Sequence, residues 1–380
     1  MKPINKYLIR KKNENSVLSM IIKKGLVSRA DIAKELDLNK ATISAIVQTL
    51  LERRLVCEEG IGDSNGGRKP IMLKFCETAG FSIGIDIRVD YISSVLTCLD
   101  GTIISKYNID VDHITKKNIL YYINKTIQYF HSSMPTTHYG IVGLGLGIHG
   151  TVEDNNIKFT PYYDLEKFPL ANKLIKEINI PVYIENEANL SAIAEKNAGI
   201  DENNIICINV HSGVGAGLIL NDNLFHGFNG SSGEIGHTIV LNGGKPCPCG
   251  NQGCLEQYVS ELAILNLYKQ KKDLQNLDFN QFKNDILIGE KVAIEILDEF
   301  IIYISIAINN LNNTFNPEKI IINSRFTNEI DGTIEKIKNH LHSTINNKVI
   351  ITSSNLKGNS TAIGASLLSS EQFLFNGLIS

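Results

Sequence analysis

At 380 residues, with 43% hydrophobic and 20% charged side chains, the chain is too long for one ordinary core and has the balance of a globular protein of two or three domains. No apolar run reaches the roughly 18 residues of a membrane span, and the basic stretch Met1–Lys12 lacks the apolar core of a secretory leader, so a cytoplasmic protein with no membrane partner is expected. The net charge of −3 hides an asymmetry: residues 1–75 hold 15 Lys and Arg against 8 Asp and Glu, a net of +7, and the remainder is acidic, so a polyanion partner is expected for the first segment only.

Residues 14–58 read as a helix-turn-helix. Ser28 can cap a first helix, with Asp31 at the third position of a capping box, where Glu or Gln is usual. Ile32, Ala33 and Leu36 form its inner face, and Asp37-Leu38-Asn39 is a short turn. Asn39 can cap a second helix from Lys40 to about Arg53. On it Ile43, Ile46, Val47, Leu50 and Leu51 fall on one stripe at helical spacing. The opposite face carries Ala41, Thr42, Ala45, Gln48 and Thr49, with Lys40 and Ser44 at its margins. These side chains are small or hydrogen-bonding, with no carboxylate until Glu52, so the face can approach base edges without repelling phosphate. Two short strands, Leu55–Glu59 and Ile71–Phe75, flank Gly62–Pro70. This is the pattern of a winged helix-turn-helix, residues 1–75, whose Arg68 and Lys69 can enter a minor groove or grip phosphate.

From Phe81 the pattern turns β-rich: strands at 81–86, 91–97 and 102–104, with a turn at Asp100-Gly101. A helical stretch at about 115–132 precedes a strand, 141–148, that ends at His149-Gly150. Strand, helix and strand recur at 182–185, 187–198 and 205–210. Mixed strands with crossover helices predict an α/β fold with covered sheets.

Of seven cysteines, Cys247, Cys249 and Cys254 lie together, ten residues after His237. One imidazole and three thiolates form a soft, closed tetrahedral set suited to structural zinc, in a reducing compartment. Four filled positions leave no site for an activated water. Gly250 and Gly253 permit the tight loop such a knuckle needs. Cys57, Cys76, Cys98 and Cys207 read as ordinary thiols.

The succession Gly84-Ile-Asp86, Gly147-Ile-His-Gly150, Glu185-Asn-Glu-Ala-Asn189, Gly213-x-Gly215-x-Gly217, Gly233-Glu-Ile-Gly-His237 and Cys247-x-Cys249-Gly-x-x-Gly-Cys254-x-Glu256 resembles the ROK family of repressors, open reading frames and sugar kinases. The resemblance covers essentially the whole chain. Within the family, Gly66-Gly-Arg-Lys-Pro70 and Ile184–Asn189 look most like xylose-operon repressors. The resemblance implies two ribonuclease-H-like (actin-like ATPase) α/β lobes with a cleft between them: 76–190, completed by 360–380, and 191–359. It places Asn186, Glu187, Glu234, His237 and Glu256 around sugar hydroxyls, and maps the family's zinc ligands onto His237, Cys247, Cys249 and Cys254. Gly147 and Gly150 would let backbone approach the sugar ring. His237 would serve twice, one ring nitrogen on zinc and the other facing the sugar. Glu256, two residues past Cys254, would be fixed by the metal. Glu185 reads as structural.

Three departures from the family's kinases argue against catalysis. Asp86 is followed by Ile87-Arg88-Val89-Asp90, bulk and an extra carboxylate where nucleotide phosphates would sit. The general base is Glu187 instead of Asp, and one methylene moves a carboxylate by about 1 Å, worth around 10²-fold in a positioned reaction. Asn323-Ser324 replaces a Gly-Gly that would receive adenine. Phosphoryl transfer rests almost wholly on positioning. The expected protein is therefore not an enzyme. It is a repressor that binds palindromic operator DNA as a homodimer or tetramer and is released by a monosaccharide, xylose foremost. The competing readings are an active sugar kinase with an appended DNA module, and a repressor answering another sugar or a protein.

Overall fold

The structure, a computed structural model, describes residues 6–61, 69–345, 347–356 and 358–376. The first module contains α1 (Lys6–Lys24), β1 (Leu26–Ser28), α2 (Arg29–Glu35), α3 (Lys40–Glu52), β2 (Val56–Ile61) and β3 (Ile71–Phe75). Its helix starts are chemically explicit. The Ser28 hydroxyl accepts from Asp31 N at 3.2 Å, and Asp31 reaches back to Ser28 N at 3.4 Å, so the shorter acid still closes a capping box. The Asn39 side chain accepts from Thr42 N at 2.8 Å. Val17, Leu18 and Ile21 of α1 pack on Ile43, Val47 and Leu50 of α3 in one buried cluster. The helical bundle therefore begins before residue 14, and β1, β3 and β2 form its three-stranded sheet. Arg68, at the expected wing tip, lies outside the described residues; Lys69 is exposed.

The second unit is built on β4 (Phe81–Ile87), β5 (Tyr91–Cys98), β6 (Ile103–Asp110), α4 (Ile119–Ser133), β7 (Ile141–Ile148), β8 (Thr151–Glu153), β9 (Asn156–Phe159), α5 (Leu170–Ile178) and β10 (Val182–Asn186). Its sheet runs β10-β7-β4-β5-β6. β10, β7 and β4 are parallel, and β4, β5 and β6 form an antiparallel meander. Ile83, Ile85 and Ile87 of central β4 join Ile123 of α4 and Leu174 of α5 in one core. β6 runs well past residue 104 because Ser105, Tyr107 and Ile109 continue the pairing with β5.

α6 (Glu187–Asn197) leads to β11 (Ile205–Val210), β12 (Val214–Leu220), β13 (Asn223–Leu224), α7 (Glu256–Val259), α8 (Glu261–Lys272), α9 (Phe279–Leu287), α10 (Lys291–Phe315), β14 (Lys319–Ser324), α11 (Arg325–Glu329), α12 (Thr333–Asn339), β15 (Ile350–Ser353) and α13 (Ser360–Glu371). The sheet order is β13-β12-β11-β14-β15. Phe279, Phe282, Phe300 and Phe326 pack with α10 residues in its core.

Two helices join the sheets. α13 lies on the face of the first sheet opposite α4 and α5, with the Ser82 and Ser370 hydroxyls 2.8 Å apart. α6 bonds to β11, Asn209 Nδ2 donating to Ser191 Oγ at 2.8 Å. Small polar residues let the helices meet closely: Ser191 Oγ lies 3.1 Å from both Ser360 Oγ and Thr361 Oγ1. Gly147 belongs to this packing and not to a ligand surface, since a Cβ there would stand 2.5 Å from Thr361 Cγ2. Beyond α13, residues 372–376 return to the first module. Phe373 stacks edge-on to Tyr139 at 4.9 Å, Tyr139 donates to Arg53 O at 2.7 Å, and Asn15 donates to Phe375 O at 3.3 Å. Among the described residues no helix is long and apolar enough to cross a membrane.

Candidate functional site

Where β10 passes into α6 the chain places two polar residues at the mouth between the sheets. Asn186 caps α6, its oxygen accepting from Ala188 N at 2.8 Å and Asn189 N at 3.3 Å. Its amide donates to Gly150 O and to Glu187 Oε2, both at 2.9 Å. The Asn186 side chain is thus engaged at both ends and fixes the Glu187 carboxylate beside β7. A Cβ at Gly150 would lie 2.1 Å from Phe159 O, so this glycine admits the β8–β9 hairpin as well as facing the cavity.

Glu187 still meets solvent through the cleft, but the walls around it desolvate the carboxylate. Burial, with Glu234 nearby, pushes its pKa up to about 7 against the opposing pull of His149. His149 Nε2 lies 3.0 Å from Asp86 Oδ1. Burial opposes the charged imidazole, but the Asp86 carboxylate outweighs it and holds the ring above its usual pKa. Arg88 Nε donates to the other Asp86 oxygen at 2.6 Å, and its terminal nitrogen donates to Gly358 O at 3.1 Å. Burial works against the Asp86 charge, yet Arg88 and His149 keep its carboxyl well below the usual range.

Gly150, Asn186, Glu187, Glu234, His237 and Glu256 all line one cavity of about 280 Å³, together with His149, Phe159 and Tyr162 from the first sheet's side. Glu234 is exposed at its mouth, and Glu256 is half-buried at the start of α7. Glu256 Oε2 accepts from Val214 N and from the Tyr162 hydroxyl, each at 3.3 Å. Glu185 faces elsewhere: it accepts from Asn189 at 3.0 Å and pairs with His226 at 2.9 Å.

His237, Cys247, Cys249 and Cys254 converge, their ligand atoms all within 4.8 Å of one another, in an arrangement that could hold a metal ion. His237 Nδ1 is 3.6 Å from Cys247 Sγ, and the sulfurs of Cys249 and Cys254 are 3.7 Å apart. Nδ1 is the nitrogen turned to the cluster, and His237 also lines the cavity. The backbone folds into a knuckle through Cys247 N to Asn251 O and Gly250 N to Cys247 O.

On α3, Lys40, Ala41, Ser44 and Gln48 are exposed, and Thr42 and Thr49 are half-buried. Gln48 donates to Glu52 at 3.0 Å, and the Thr49 hydroxyl turns back to Ala45 O.

The segments expected to have lost nucleotide chemistry are filled from within. Arg88, not Asp90, is the inward group at the first turn: Asp90 is exposed, while Arg88 is locked on Asp86. Asn323 is buried and donates to Ser360 Oγ at 2.8 Å and Asn209 Oδ1 at 3.1 Å. Ser324 caps α11 by accepting from Phe326 N. Tyr162 and His149 also line the cavity, and Arg88 is locked on Asp86 beside it. In the sequence His149 is marked by the run His149-Gly150 at a strand end, and nothing local marks Tyr162.

A winged helix carried on two actin-like α/β lobes, with a polar cleft and a Cys/His cluster at its edge, defines a DNA-reading module mounted on a sugar-kinase scaffold. The chain belongs to the ROK family, whose model matches residues 82–372. It is 34% identical to the xylose repressor of Bacillus subtilis over 96% of this chain and 97% of that protein. A solved ROK family transcriptional regulator, a homologue of the Escherichia coli MLC protein, superposes with a TM-score of 0.82 at 24% identity, covering 97% of this chain and 98% of that one. A ROK glucokinase from Streptomyces griseus, solved with glucose and AMPPNP, covers only 76% of this chain, with a TM-score of 0.69 and 24% identity.

Proposed function

We propose that this protein is a sugar-responsive transcriptional repressor that binds operator DNA as a homodimer or tetramer and lets go when a monosaccharide, xylose first, fills the cleft. It works in the cytoplasm, as three units: 1–75, then 76–190 with 360–380, then 191–359. The observation that carries the reading is the coexistence of a polar cavity with an Asp86–Arg88 ion pair that closes off the neighbouring turn. A nucleotide's phosphates would have to displace a guanidinium already held by a buried carboxylate and a backbone carbonyl. Similarity to the xylose repressor along nearly the full chain supports the DNA and sugar assignments.

In this reading Lys40, Ala41, Thr42, Ser44, Gln48 and Thr49 face the major groove, and Arg68 and Lys69 grip the flanking backbone. Glu187, Glu234, His237 and Glu256 receive sugar hydroxyls, while Asn186 and Gly150 frame Glu187. Zinc fits the cluster: Zn–S bonds of about 2.3 Å give a tetrahedral edge of about 3.8 Å, close to the 3.7 Å between Cys249 and Cys254. Held by all four side chains, the ion would have a structural role, fixing the His237 ring and the start of α7. Driving operator occupancy from 99:1 to 1:99 takes about 5.5 kcal/mol of differential sugar binding, within reach of several charge-assisted hydrogen bonds in a symmetric assembly.

The test uses operator DNA, D-xylose and purified protein. Glu234→Ala and Glu256→Ala should still bind operator but no longer release it with sugar, each lost bond costing about 1.5–3 kcal/mol. ATP and magnesium with xylose or glucose should give no sugar-dependent ADP. Steady turnover, abolished by Glu187→Gln, would replace the repressor with a kinase.

A further inference from the structure

Glu256 stands on one wall of the cleft and Tyr162 on the other. Tyr162 belongs to the segment after β9, which is fastened to the first lobe at several points. Thr160 donates to Tyr163 O at 2.7 Å, the Tyr163 hydroxyl accepts from His149 N at 2.8 Å, and that same hydroxyl donates to Ile87 O at 3.2 Å. From this anchored base the Tyr162 side chain crosses to the second lobe. Its hydroxyl lies 3.3 Å from Glu256 Oε2 and 3.5 Å from Ser212 O. One phenolic proton cannot serve both acceptors at once, and the charged carboxylate is the stronger partner.

Gly213 makes the crossing possible. A Cβ there would stand 2.7 Å from the Tyr162 oxygen and 2.9 Å from Glu256 Oε2. Oε2 also receives Val214 N at 3.3 Å. Among the described residues no hydrogen bond falls on Oε1, the oxygen left for a ligand. Burial and the Glu256 charge raise the Tyr162 pKa above its usual value, so the hydroxyl remains a donor throughout the neutral range.

We propose that Tyr162 is a positioning residue for the sugar site: anchored in the first lobe, it holds the Glu256 carboxylate of the second lobe in the orientation that presents Oε1 to the sugar. The orientation exists only while the lobes are close enough for the 3.3 Å contact. Sugar affinity and lobe spacing are thereby tied through one hydrogen bond, and a sugar seated on Oε1 favours the closed cleft. The inference rests on the reading of Glu256 as a sugar ligand.

The experiment is a double-mutant cycle on the full chain, with D-xylose as the probe and titration calorimetry as the readout. Tyr162→Phe keeps the ring and removes the hydroxyl; it should weaken xylose about tenfold, as expected for one hydrogen bond to a charged group. In a Glu256→Gln background, Tyr162→Phe should change the affinity less than twofold, because the carboxylate it orients is gone. Gly213→Ala, whose Cβ would crowd both the Tyr162 hydroxyl and Glu256 Oε2, should weaken xylose at least as much as Tyr162→Phe. An unchanged affinity in Tyr162→Phe, or an equal loss with and without Glu256, would overturn the proposal while leaving the sugar site standing. Unchanged xylose binding in Glu256→Gln would instead overturn the assignment of Glu256 itself, and the positioning role with it.

Discussion

Asp86→Asn should destabilise the protein far more than its conservative size suggests. The carboxylate is 1% exposed and serves two cations, Arg88 at 2.6 Å and His149 at 3.0 Å, which are 14% and 7% exposed. Removing one partner of a buried ion pair costs about 3–5 kcal/mol, because the remaining charge stays desolvated. His149 can escape by releasing its proton; Arg88 cannot. The expected loss is therefore near the lower end, about 3 kcal/mol, or more than a hundredfold in the unfolding equilibrium. The pH dependence carries the signature. Asp86 has a depressed pKa, so its contribution is present above its ordinary value of 3.8 and disappears in acid. His149 has a raised pKa, so its contribution is complete below 6.5 and fades as pH rises through the raised value. The gap between wild type and variant should thus be widest between pH 4 and 6.5 and narrow above that to the Arg88 share. With no tryptophan in the sequence, urea unfolding followed by far-ultraviolet circular dichroism is the appropriate assay. Combining Asp86→Leu with Arg88→Met should recover most of the loss, since a buried pair can be exchanged for apolar groups of similar volume. A loss below about 1 kcal/mol at every pH would refute the idea that this triad is a desolvated charge cluster.

Other substitutions probe the remaining parts. Cys249→Ser should abolish zinc binding at the proposed site, lower the melting temperature and also raise the sugar concentration needed for operator release, because His237 and Glu256 would lose their anchor; metal analysis, thermal unfolding and a gel shift read these in turn. Gln48→Ala should relax preference at one operator position by about 1–3 kcal/mol, whereas Lys69→Ala should weaken binding to all sequences and flatten its salt dependence. With a pKa near 7 against an ordinary 4.5, Glu187 favours the folded state in acid and loses that contribution as pH rises through 7. Glu187→Gln should therefore flatten the melting temperature between pH 5 and 8, and identical profiles for the two proteins would contradict the raised value.

The parts legible in the sequence are those fixed by local chemistry. Ser28 and Asn39 declare helix starts because their side chains must satisfy backbone donors a turn ahead. The Cys247–Cys254 spacing declares a knuckle because so short a loop brings the sulfurs together. Their short spacing from that knuckle sets Glu234 and Glu256 beside it, and both line the cavity. What escaped depends on distant segments. Nothing around Tyr162 says that its hydroxyl will cross the cleft, since its partner lies 94 residues away. Gly147 looked like an opening for a ligand because sequence does not reveal that α13 occupies that face. Asp90 looked like the intruding carboxylate, but side-chain length favoured Arg88, which reaches Gly358 as well as Asp86. The start of α1 lies outside the expected span 14–58 because Leu8 and Ile9 near its start are exposed, while its buried residues, Val17, Leu18 and Ile21, sit toward its other end.

The return of residues 372–376 to the first module has a consequence for how the chain is made. The bundle α1–α3 leaves the ribosome long before the partners of Asn15 and Tyr139 at Phe375 and Phe373. Until they emerge, the apolar surface that Leu374 finally joins stays uncovered. The reading head is thus born early and finished late, and it reaches its final seat only after α13, the helix that lies between the two lobes, has been made. Before residues 372–376 are made, α3 is already backed by Val17, Leu18 and Ile21 of α1, but the module lacks its contacts with Phe373, Leu374 and Phe375.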